Sequence, residues 1–132
     1  MKPGRELDVL IAEKIMGDVR GVEDYREYER LSGLVKPGVL CENSLKATVL
    51  SVKYAGPYGY GVGNFFPRYS TDIAAAWEVV EKFKNCGTRI TLYISNTDSY
   101  EAEIDCSGVS SAFGESIPHA ICLVALMKKS LE

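Results

Sequence analysis

The sequence predicts an α+β fold, an α/β/α-type sandwich in which a small antiparallel sheet is layered with helices. Three observations carry this. Apolar residues recur at three- and four-residue spacing near 4–16, 70–85 and 117–129, the period of helices that bury one face. Between the second and third of these, TRITLYIS and YEAEIDC alternate apolar and polar residues around the turn NTDS, which marks a hairpin at about 88–106. With 132 residues the chain suits a single core, read as one domain over 1–132 with a variable insert at about 18–66.

In the first helix Leu7, Leu10, Ile11 and Ile15 share a face, Arg5, Glu6, Asp8 and Glu13 lie mostly on others, and Gly17 ends it. The charge-rich stretch 18–36 sets Val22, Tyr25, Tyr28 and Leu31 at spacing three, which suits a short second helix or a mobile arm. Its charges read as a solvated face, with a contact surface on Tyr25 and Tyr28 as the functional alternative. LKATVLSVKY puts Thr48, Leu50, Val52 and Tyr54 on one side and Ala47, Val49, Ser51 and Lys53 on the other, so a strand is expected at about 45–54. The stretch 67–87 reads as a helix capped by Ser70 or Thr71, with Asp72 in its first turn, a stripe of Ile73, Ala76, Trp77, Val80 and Phe83 or Lys84, and Gly87 as its stop.

In the hairpin, pairing Ile94 with Tyr100 and Ile90 with Ile104 keeps the apolar rows together and sets Arg89 opposite Asp105. The other face, with Thr91, Tyr93, Glu101 and Glu103, is expected to be wet. SGVSSAFGES then reads as a small-residue loop, and Ser116 caps a last helix apolar on much of its surface, with Pro118 in the first turn.

The formal charge of -3 and pI near 5.3 argue against a nucleic-acid polymer as partner. No apolar run is long enough for a bilayer, and Glu6, Asp8 and Glu13 interrupt the place of a signal peptide, so a cytoplasmic location and no membrane contact are expected. Cys41, Cys86, Cys106 and Cys122 are scattered without a CxxC pair and read as reduced thiols. One histidine and dispersed cysteines give no metal set, and no cofactor is implied.

YAGPYGYGVGNFFPRYSTD, at 54–72, alternates glycines with aromatics. Gly59, Gly61 and Gly63 are spaced GxGxG, which is neither dinucleotide nor P-loop fingerprint. Backbone N–H groups after Pro67, beside Arg68, suit an anion, but Asp72 competes for the same helix start. The aromatics suit base stacking or a satellite core. Any ligand site is therefore placed on Tyr58, Tyr60, Gly61, Gly63, Arg68 and Tyr69. His119 and Cys122, three apart on the last helix, have base-and-thiol spacing, yet Cys122 falls in the apolar stripe. Glu101, Glu103 and Asp105 line one strand face and read as solvating rather than catalytic. No catalytic residue is assigned.

GRELDVLIAEKIMG at 4–17, PRYSTDIAAAWEVVEKFKNCG at 67–87 and PHAICLVALMKK at 118–129 together resemble the phage ABA-sandwich domain family of small phage and prophage proteins. The middle block, with proline, aromatic, Ser-Thr-Asp and then an Ala-rich helix carrying Trp, is the specific one. The resemblance covers the helices and departs in 18–62. It implies a helix–sheet–helix fold and a phage or prophage origin, and it brings no catalytic residues. The expected role is that of an accessory protein acting by binding a host or phage protein or a small molecule, as a possible homo-oligomer. The alternatives are sequestration of a nucleotide signal, a small hydrolase using His119 or the hairpin acids, and a virion assembly subunit.

Overall fold

The computed structural model describes residues 1–34, 38, 41–54, 65–84, 88–94, 99–105 and 109–130. Among them run five helices and three strands: α1 (Arg5–Lys14), α2 (Val19–Gly33), α3 (Glu42–Lys53), α4 (Ile73–Lys84), β1 (Arg89–Ile94), β2 (Tyr100–Asp105), β3 (Val109–Gly114) and α5 (Ile117–Ser130). The architecture is α+β, with a three-stranded antiparallel open sheet, consistent with an ABA sandwich. The chain divides into two compact units, Met1–Gly17 with Pro67–Glu132, and Asp18–Phe66.

In the first unit the strands follow the order β1-β2-β3. The expected hairpin register is the observed one, with Ile94 opposite Tyr100, Ile90 opposite Ile104 and Arg89 opposite Asp105. Ala102 and Ile104 of β2 are fully buried, while Ile94, at a strand end, is exposed. β3 replaces the expected loop: Ser110 and Ala112 turn inward and Val109, Ser111 and Phe113 outward, a period-two pattern hidden by small side chains. Its Gly114 lets the start of α5 come close, because a Cβ there would sit 2.6 Å from the Ala120 backbone nitrogen.

Helix α5 packs against β2, β3, α1 and α4, which is why its sequence is apolar nearly all round. Ser116 caps it as expected, its Oγ accepting from the His119 backbone N–H at 3.3 Å. Leu7 and Ile11 of α1 are fully buried, each contributing about 1.5–3 kcal/mol through removal from water. Gly17 follows α1 with φ 69, the left-handed geometry of a helix stop.

The cap of α4 differs from the expectation. Asp72, not Ser70 or Thr71, holds it, with Oδ1 accepting from Ala74 N–H at 3.0 Å. Ser70 has been drawn inward to a partner in α1, described below. The buried stripe is also rotated: Ala75, Ala76, Val79 and Val80 face inward, while Ile73 and Trp77 are about half exposed. Small side chains let α4 approach its neighbours closely, and that outweighs burial of the larger indole.

The second unit corrects the strand expected at about 45–54, which is helix α3. The period-two reading of Thr48, Leu50, Val52 and Tyr54 was a coincidence of β-branched residues; at helical spacing Ala47 and Tyr54 point back into the unit. An i,i+4 pair, Glu42 to Lys46 at 3.1 Å, supports the helix. Of the two possibilities for 18–36, the helix is realised: Asp18 caps α2 by accepting from Gly21 N–H at 3.2 Å. The early turns of α2 meet the late turns of α3, since Asp24 takes Lys53 Nζ at 3.0 Å and the Tyr54 hydroxyl, so the two form an antiparallel helical hairpin.

Candidate functional site

An aromatic cluster organises the second unit. Phe65 stacks on Tyr54 with centroids 4.4 Å apart, meets Tyr28 at 5.4 Å and stands edge-on to Tyr25 at 5.7 Å. Phe66 stands edge-on to Tyr25 at 5.0 Å. Phe65, Phe66 and Tyr25 are buried, so these rings are core; each such pairing contributes about 0.5–1.5 kcal/mol beyond burial. Gly21 admits the Phe65 carbonyl, which a Cβ would strike.

Tyr28, only partly buried, opens onto a groove of about 430 Å³ between α2 and α3, lined also by Ala47, Thr48, Ser51 and Val52. That volume falls in the range of small-molecule sites. Ala47 and Val52 supply apolar surface, Tyr28 a ring, and Ser51 and Tyr28 hydroxyls; the Thr48 hydroxyl donates to the Ser44 carbonyl at 2.9 Å. One turn along, the hydrogen bond from Tyr54 and the Lys53 ammonium hold the Asp24 carboxyl below its ordinary range. Burial, and then Asp24, pushes the Tyr54 phenol up to about 12.

Of the residues proposed from the sequence for ligand binding, Tyr58, Tyr60, Gly61 and Gly63 lie outside the described residues. Arg68 is exposed, with its carbonyl accepting from the Thr71 and Asp72 N–H groups, and Tyr69 is buried. The groove residues Thr48 and Ser51 were missed because 45–54 reads as a strand; the Glu42–Lys46 spacing was the signal for a helix.

His119 has both ring nitrogens engaged. Nδ1 accepts from the Glu115 N–H at 2.9 Å, so Nε2 carries the proton and donates to the Met1 carbonyl at 2.7 Å. Cys122 is fully buried, and burial, followed by the Asp8 charge, drives its thiol well above the ordinary range. Cys41 is the opposite case: at the N-cap of α3, its Sγ lies 3.2 Å from Ser44 Oγ, and that hydrogen bond lowers its pKa. Cys86 and Cys106 lie outside the described residues.

The most deeply buried charge, Asp8, belongs to a latch rather than to an open site. Its Oδ1 accepts from Ser70 N–H at 2.8 Å and Ser70 Oγ at 2.7 Å, and its Oδ2 takes Arg5 Nη1 at 2.8 Å. Ser70 Oγ in turn accepts from Gly4 N–H at 2.9 Å. On the sheet, Tyr93, Glu101 and Phe113 line the open face in one row, and the charge and hydrogen bond of Glu103 raise the Tyr93 phenol. Among the described residues no group of three or more His, Cys, Asp or Glu could hold a metal, and no helix is long and apolar enough to cross a membrane.

Helices packed on an open three-stranded antiparallel sheet, with a helical hairpin as a second unit, define an α+β protein of the ABA-sandwich class. The chain belongs to the Phage ABA sandwich domain family, whose model matches residues 9–126. It is similar to a phage protein of Bacillus cereus ATCC 14579 known from a crystal structure, at 28% identity and a TM-score of 0.56, covering 100% of this chain and 91% of that one. No curated protein matches the chain.

Proposed function

We propose that this protein is a phage- or prophage-encoded accessory protein that acts in the host cytoplasm by binding a small molecule in the Tyr28–Ser51 groove. The observation that carries this reading is the groove itself, with a ring on one wall, hydroxyls on its lining and apolar surface beside them. Such a lining suits a planar ring bearing hydroxyl or carbonyl groups, nucleosides and nucleotides included. The engaged nitrogens of His119 and the buried Cys122 thiol, which burial keeps protonated, favour binding over hydrolysis at those residues.

Thermal-shift measurement against nucleosides, nucleotides and other aromatic metabolites tests the reading. A ligand at about a hundredfold its Kd adds about 2.7 kcal/mol of stability. Ser51→Leu, which fills the groove from within α3, abolishes that shift. No stabilisation across the panel, or a shift unchanged in Ser51→Leu, overturns the reading.

A further inference from the structure

Helix α3 carries two apolar faces. One packs into its own unit through Ala47, which is buried, and Tyr54, which stacks on Phe65. On the opposite side Leu45, Val49 and Val52, at spacings of four and three, form a second stripe, and they are 56%, 67% and 53% exposed. Single exposed apolar residues are ordinary; three in line along one short helix form a continuous apolar stripe.

The charges beside the stripe favour one occupant. Glu42 and Lys53 sit at opposite ends of α3 and, by helical rotation, on the same flank of the stripe, with Lys46 between them. We propose that the stripe is the interface for a second copy of this chain, with α3 packed antiparallel on its counterpart about a two-fold axis. Turning the copy end for end lays Leu45 of each protomer near Val52 of the other and sets the Val49 side chains together at the axis. It also brings Glu42 of each beside Lys53 of the other, so opposite charges meet at both ends. Lys53 already donates to Asp24, and its ammonium has further N–H donors for a second carboxylate. A parallel pairing brings no such charges together. A nucleic-acid or strongly charged partner is disfavoured by a rim of mixed sign.

This inference does not rest on the ligand reading, and the two surfaces share Val52. Sedimentation of the full chain over a wide dilution series tests it. The expected result is a reversible monomer–dimer equilibrium that Val49→Lys weakens about tenfold or more, with the helical circular dichroism retained. Phe113→Lys, on the exposed sheet face, leaves the equilibrium unchanged. Glu42→Lys weakens it, and the swap Glu42→Lys with Lys53→Glu restores it. A chain that stays monomeric throughout, or a dimer indifferent to Val49→Lys or dissociated by Phe113→Lys, overturns the interface. A swap that fails to restore association overturns the antiparallel pairing. Ser51→Leu, which reports on the ligand groove, keeps the two readings separable.

Discussion

Asp8 shows how much one side chain can tie together. Its carboxylate joins α1 to the turn before α4, and it is only 1% exposed, so removing it takes the buried acceptor away from Ser70 N–H, Ser70 Oγ and Arg5 Nη1. Asp8→Ala is therefore expected to cost about 3 kcal/mol, read from urea unfolding. Tyr54 gives a prediction in pH. Its folded pKa lies above the unfolded value near 10, so the stability it lends is fully present below about 10 and is lost as pH rises toward about 12. Asp24 is depressed, so its contribution holds above the ordinary carboxylate range and is lost on acidification. Spectrophotometric titration of the phenols should show a late step that Tyr54→Phe removes. The two described thiols separate in the same way: alkylation followed by peptide mapping should label Cys41 well before Cys122. Of these roles only the inertness of Cys122, which falls in the apolar stripe of the last helix, is legible in the sequence. Asp8 sits among ordinary surface-type charges in sequence, and only the fold reveals that Ser70 N–H, Ser70 Oγ and Arg5 converge on it.

At the scale of elements, what could be read was decided by how far local patterns agree with tertiary packing. The β1–β2 register was legible because two apolar rows and a short turn leave one pairing that keeps both rows on one face. Helix α5 was legible from its length, apolar content and Ser116 cap. Helix α3 was not: Cys41 stands where a Ser, Thr, Asp or Asn cap would signal a start, and β-branched Thr48, Val49 and Val52 mimic a strand. Strand β3 escaped because its inward residues, Ser110 and Ala112, are too small to show as an apolar row. The candidate groove went unseen with α3, since its lining exists only once 47, 48, 51 and 52 wind into a helix. The close approach of α2 to Phe65 gives an element-level test. Gly21→Ala places a methyl against a backbone carbonyl that cannot swing aside and should cost about 1–3 kcal/mol, measured by chemical denaturation.

At the scale of the whole molecule, each of the two units has buried apolar residues of its own. In one these include Leu7, Ile11, Ala102, Ile104, Ile121 and Val124, in the other Val22, Tyr25, Leu31, Phe65 and Phe66. Phe65→Ala should cost about 3–5 kcal/mol and act first on the second unit. Hydrogen exchange is the measurement: amides of α2 and α3 lose protection while those of β2 and α5 keep theirs. The position of Trp77 makes the same separation optically accessible. It is the chain's single tryptophan, it belongs to the first unit, and its indole is about half open to solvent. Fluorescence excited at the red edge therefore reports on one unit alone. A denaturant curve followed by indole emission tracks the sheet-bearing unit, and comparison with far-ultraviolet ellipticity, to which both units contribute, counts the cooperative transitions without any label being introduced.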